Sequence, residues 1–174
     1  MTDLRYPIGR FQRPELVTEA QRNQAIEAIA VLPADMRAAV KGWTAEQIDT
    51  PYRPDGWTVR QLLHHVPESH MNSYIRFKLA LTEEEPTIKP YDEDAWAHLP
   101  DATTAPVDVS LDLLDTLHQR WVLLLRSMSA GQWSRTFRHP DAGVLRLDVN
   151  AMLYAWHGKH HLAHITGLRD RMRW

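Results

Sequence analysis

Two short windows of the chain, HHVPESH (64–70) and WHGKHHLAH (156–164), hold seven of its ten histidines. Both lie in segments whose apolar residues recur at the spacing of a buried amphipathic helix. Residues four apart on a helix share a face, so His157/His161 or His160/His164 could each present two imidazoles to one metal ion. From the first window onward, His65, Ser69, Asn72 and Arg76 are spaced i, i+4, i+7 and i+11. They form one ridge beside the apolar stripe, and His64 points away from it. A third histidine from such a facing ridge would complete a three-histidine site with positions left open for water or substrate. The ordinary alternatives are core histidines with hydrogen-bonded rings, and histidines that sense pH. Gly158 stands where zinc proteases carry a glutamate after the first histidine of the pair, which argues against their chemistry.

Three neutral ligands would leave the ion its full positive charge, which favours an incoming anion, hydroxide or thiolate. Two reactions follow: hydrolysis by activated water, or attack by a small thiol on an electrophile; the alternative to an enzyme is a metal-stabilised bundle that binds a ligand without turnover. Arg76 could clamp a carboxylate or other anionic group of the bound molecule, and Asn72 could orient the nucleophile. The alternative for Arg76 is an ion pair with a carboxylate of a helix or loop. Tyr154 reads as core. Trp57, Trp96, Trp121 and Trp156 could stack on a ligand, but their spacing favours packing.

Four long helices must position these residues. The first starts at Thr18, and Pro33 is expected to end or kink it, with a further helical piece to about Gly42. Thr44-x-x-Gln47 looks like a capping box on a short turn. A second capping box, Thr58-x-x-Gln61, opens a helix running to about Glu83 and interrupted by Pro67. Residues 84–108 carry four prolines and read as a long loop with one turn near Trp96. With Tyr91, Asp92 and Asp94, that loop is either a lid or a solvated crossover. The third helix spans about Ser110 to Met128 on the stripe Leu111, Leu114, Leu117, Trp121, Leu124 and Leu125. Ser129-x-x-Gln132 caps a further turn, residues 135–147 read as a β-ribbon, and Asp148 reads as the N-cap of a last helix ending near Arg171. The pattern is that of an all-α four-helix bundle with a long crossover loop and a small β-ribbon, one domain over 1–174 with an extended arm at 1–17.

Composition agrees with a globular chain. Among 174 residues, 24% are charged and 44% apolar, and the net charge of −2 argues against nucleic acid as a partner. No apolar run is long enough to cross a membrane and the start lacks the hydrophobic core of a signal peptide, so a cytoplasmic location is expected. Cysteine is absent, so any metal must be held by histidine and carboxylate.

The stretch WTVRQLLHH (57–65) resembles the first metal-binding helix of the DinB-like superfamily. SYIRFKLALTEEEPTIKPYDEDAW (73–96), YAWHGKHHLAHITGLRDRM (154–172) and RYPIGRF near the start resemble its YfiT branch of metal-dependent hydrolases, relatives of bacillithiol S-transferases. The resemblance covers nearly the whole chain. It implies a four-helix bundle, a homodimer and one zinc or nickel ion per subunit. It also implies the ligand set His65, His157 and His161, and a small-molecule thiol and an electrophile as substrates. Family members carry a small or apolar residue at the position of Pro67.

Overall fold

In a computed structural model, which describes residues 3–174, four long helices pack side by side: α1 (Glu19–Ala39), α3 (Val59–Thr82), α6 (Val107–Ser127) and α8 (Leu147–Met172). Short helices α2 (Ala45–Ile48), α4 (Glu93–Ala97), α5 (Pro100–Thr104) and α7 (Ala130–Trp133) lie in the connections. Strands β1 (Thr136–His139) and β2 (Gly143–Arg146) form an antiparallel ribbon with Phe137 opposite Leu145. Around the bundle, α1 packs on α8 and α6, and α3 packs on α6 and α8. Residues 3–17 form the expected arm without regular structure; residues 1 and 2 lie outside the described residues.

Four helix starts use the same device. At Thr18/Gln21, Thr44/Gln47, Thr58/Gln61 and Ser129/Gln132 the hydroxyl accepts the backbone N–H three residues on, and the glutamine side chain accepts the N–H of the cap. Each box satisfies two amide donors that a helix start leaves free.

Several boundaries differ from the sequence reading. α1 runs through Pro33 to Ala39 as one helix, because tertiary packing of Leu32, Pro33 and Met36 outweighs one lost backbone hydrogen bond. α3 likewise continues through Pro67. Asp148 is not the N-cap of α8. That position is Arg146, whose guanidinium pairs with the Asp148 carboxylate at 2.9 and 3.0 Å, while Asp148 also accepts the N–H of Val149. The long crossover holds two helical turns rather than one.

The interior divides into two apolar clusters. One gathers Ile29, Phe77, Trp121, Leu125 and Phe137; the other gathers Leu32, Leu62, Val66, Leu114 and Ile165. Every long helix crosses from one cluster to the other, and on α3, α6 and α8 the crossing point carries histidine: His70, His118, and His157 with His161. A layer of imidazoles thus separates two hydrocarbon cores.

Candidate metal centre

His65 reaches the layer from the second turn of α3, whose start is fixed by the Thr58 box and by the Gln61 amide, which donates to Ala97 O at 2.8 Å. His157 and His161 come from successive turns of α8. The three offer ring nitrogens that all lie within 4.8 Å of one another. The Nε2 atoms of His157 and His161 are 3.2 Å apart, and the His65 ring centre is 5.4 and 5.0 Å from theirs.

These residues fit a divalent cation. Three buried imidazoles from two helices converge their ring nitrogens, with the Nε2 atoms of His157 and His161 turned toward each other, which is the donor set of a divalent ion. Burial pushes the pKa of His65 down to about 4, and burial with neighbouring imidazoles holds His157 and His161 well below the ordinary range. All three are therefore neutral at pH 7, the state a ligand needs. A second group, His160, His161 and His164, also converges within 4.8 Å, but it shares His161 with the first. His64 turns away, as its place on the helix implied: its ring bonds Ser110 Oγ at 2.7 Å and Ala105 O at 3.2 Å.

The triad opens onto a cavity of about 850 Å³. Its walls come from six places: the arm (Arg5, Tyr6), the turn after α2 (Tyr52, Arg53), α3, the crossover (Tyr91, Asp94), the ribbon (His139, Asp141) and α8 (Trp156, His160). The crossover therefore forms a wall of the site, with the Trp57 indole donating to Asp94 at 3.0 Å. Burial pushes the Tyr91 phenol up, so it stays protonated.

His65, Ser69 and Arg76 all line the cavity from one face of α3. Arg76 is 9% exposed and, among the described residues, has no carboxylate within ion-pair distance, so the expected pairing with a helix or loop carboxylate is not formed. Eleven residues of helix place its Cα about 16 Å along the axis from that of His65. Asn72 is not brought to the cavity. Its amide donates to Glu68 O at 2.9 Å on its own helix, one turn back.

The four tryptophans divide. Trp121 is fully buried in the core and Trp96 packs on Tyr91 at the surface, but Trp57 and Trp156 line the cavity, Trp57 5.0 Å from the His65 ring and Trp156 stacked 4.6 Å from His160. Tyr154 lies in the core, as read. The sequence reading missed Arg5, Tyr6, Arg53 and His139, which reach the cavity from segments without helical periodicity. It also missed His118, whose signal was present: His118 falls on the buried face of α6 between Leu114 and Trp121.

The DinB superfamily profile matches residues 28–165. Over all 174 residues, and over the whole of each relative, the chain is 56% identical to proteins of Bacillus cereus and Bacillus anthracis and 55% identical to one of Bacillus mycoides. These are named as metal-dependent hydrolases, with the activity marked provisional in the name itself. The fold superposes on YfiT from Bacillus subtilis with a TM-score of 0.96 and 50% identity, covering 98% of each chain. YfiT is described as a probable metal-dependent hydrolase with an unusual four-helix bundle topology.

Proposed function

The chain belongs to the DinB superfamily, and on that premise we propose that it is a metal-dependent enzyme in which His65, His157 and His161 hold one zinc or nickel ion and a small thiol is activated for S-transfer to an electrophile. The observation that carries the reading is the pairing of that triad with Arg76 in one cavity. An ion held there by three neutral rings supplies the positive charge that lowers the pKa of a thiol or water at its open positions.

The chain's own residues do the rest. With no carboxylate paired to it, Arg76 is free to hold an anionic group, and its distance from His65 suits a molecule of several bonds' length rather than a lone water. Small cellular thiols that carry carboxylates meet both demands. Trp57 and Trp156 offer flat apolar faces for the electrophile, and the crossover residues Tyr91 and Asp94 bound the cavity on one side. In the transfer, the thiol's proton passes to solvent water, sulfur bonds to the electrophilic carbon, and the leaving group departs with the electron pair of the broken bond.

The names of the relatives favour a second reading, hydrolysis with water as the nucleophile. The test loads the protein with zinc or nickel and assays both thiol conjugation and ester or amide hydrolysis. Metal-dependent conjugation supports S-transfer; hydrolysis with no conjugation of any thiol moves the assignment to hydrolase. We further propose a cytoplasmic homodimer; no helix among the described residues is long and apolar enough to cross a membrane. Sedimentation should then give twice the 20.2 kDa chain mass.

A further inference from the structure

Two histidines outside the triad, His70 and His118, are the most deeply buried imidazoles of the chain, at 0 and 1% exposure. They are joined in a line. His157 Nδ1 is 3.1 Å from His70 Nε2, His70 Nδ1 is 2.8 Å from His118 Nε2, and His118 Nδ1 is 2.6 Å from the carbonyl oxygen of Ile29. The line passes through all four long helices: α8, α3, α6 and α1.

The last member fixes the rest. A carbonyl can only accept, so His118 carries its hydrogen on Nδ1. In a neutral ring its Nε2 is then an acceptor, and His70 must donate from Nδ1. The same step repeated makes His70 Nε2 the acceptor and puts the hydrogen of His157 on Nδ1. His157 Nε2 is left with a lone pair, and that is the atom facing His161 Nε2 in the triad. None of the hydrogen-bond partners along the line is anionic, and no ring in it has to change charge.

The terminal carbonyl is available because of a proline. In a regular helix Ile29 O would accept the N–H of residue 33, but that residue is Pro33, which has none. Pro33, Ile29, His118 and His70 therefore form one device.

We propose that His70 and His118 are positioning residues for the metal centre: anchored on the carbonyl that Pro33 frees, they lock His157 in the Nδ1–H tautomer and aim its Nε2 at the ion. The proposal rests on His157 being a ligand. Partners behind a ligating histidine commonly contribute 10–100-fold in metal affinity, by fixing ring orientation and raising ligand basicity.

The test uses the full chain labelled with 15N-histidine. Two-bond 1H–15N correlation of the metal-stripped protein should show His118, His70 and His157 all with hydrogen on Nδ1, the minority form of free neutral histidine. Zinc loading should leave that pattern unchanged. His70→Leu and His118→Leu should each weaken zinc binding by about 10–100-fold. His70→Gln, which keeps an acceptor toward His157 and a donor toward His118, should recover most of the loss. A hydrogen on Nε2 of any of the three rings in the stripped protein overturns the relay, as does unchanged zinc affinity in both leucine variants. If a leucine variant does not fold, the wild-type tautomers alone decide. A protein that shows the three tautomers but binds no zinc would sink the metal reading and leave the relay standing.

Discussion

The Nε2 atoms of His157 and His161 face each other at 3.2 Å, one helical turn apart on α8. Without a cation one of them must donate to the other. The relay behind His157 leaves its Nε2 without hydrogen, so the donor is His161. A cation lets both lone pairs point at one centre and removes the need for that contact. His65→Ala, His157→Ala and His161→Ala should each lose most bound zinc or nickel by elemental analysis, whereas His64→Ala, whose ring is engaged with Ser110 and Ala105, should retain it. A triple alanine variant that stays fully loaded would place the ion elsewhere.

The same layer should make the metal-stripped protein sensitive to mild acid. Burial pushes His65, His118 and His164 down to about 4, and burial with neighbouring imidazoles holds His70, His157 and His161 well below the ordinary range. A histidine depressed in the folded state binds more protons when unfolded, so its contribution is fully present above the unfolded pKa of about 6.5 and is lost as pH falls below it. Each such ring adds at most about 1.4 kcal/mol per pH unit, and several act together. The urea midpoint should therefore hold steady from pH 8 to 7 and fall steeply between pH 6.5 and 5. A flat profile over the lower interval would mean that the rings take up protons without unfolding.

Much of the bundle is legible because its signals are local. Capping boxes mark the start of α3 and of the short turns, and the 3.6-residue period marks the buried faces. The ridge of His65, Ser69 and Arg76 is legible for the same reason, since helical spacing alone brings the three to one wall. Asn72 shares the helical spacing but not the outcome, since its amide bonds the Glu68 carbonyl of its own helix instead. What stays hidden depends on contacts between segments far apart in sequence. The arm and ribbon contribute Arg5, Tyr6 and His139 to the cavity through tertiary packing that no period announces. Pro33 shows the limit best. Its local meaning, a helix break, is overridden by packing, and the carbonyl it frees acquires a partner only through a histidine 89 residues away.

Gly158 has a packing role that its place between two histidine pairs did not suggest. A Cβ there would lie 2.4 Å from Leu32 Cδ2, where α1 packs on α8. Gly158→Ala gains up to about 1 kcal/mol of helix propensity but must displace a buried leucine, for which overpacking costs about 1–3 kcal/mol. The net expectation is a destabilisation of about 1 kcal/mol, read as a lower urea midpoint with unchanged metal stoichiometry. A more stable variant would show that Leu32 has room to move. Glutamate, the residue zinc proteases place here, should not be accommodated at all.

Arg76 tests how the cavity uses its length. A cation nine-tenths buried and without a carboxylate partner carries a desolvation cost that an incoming anion would offset. An anion held by Arg76 would lie about three helical turns from the triad, remote from the bond being made, so the contact should hold ground state and transition state alike. Removing such uniform binding raises KM and leaves kcat nearly unchanged. Arg76→Ala should accordingly raise KM for a carboxylate-bearing thiol by about 10–100-fold, the range of one charge-assisted hydrogen-bonded pair, and should affect a thiol lacking the carboxylate far less. Arg76→Lys keeps the charge but not the planar fork, and should fall between the two. If KM for both thiols is unmoved and kcat falls instead, Arg76 acts on the reacting atoms and the bound molecule must lie the other way along the cavity.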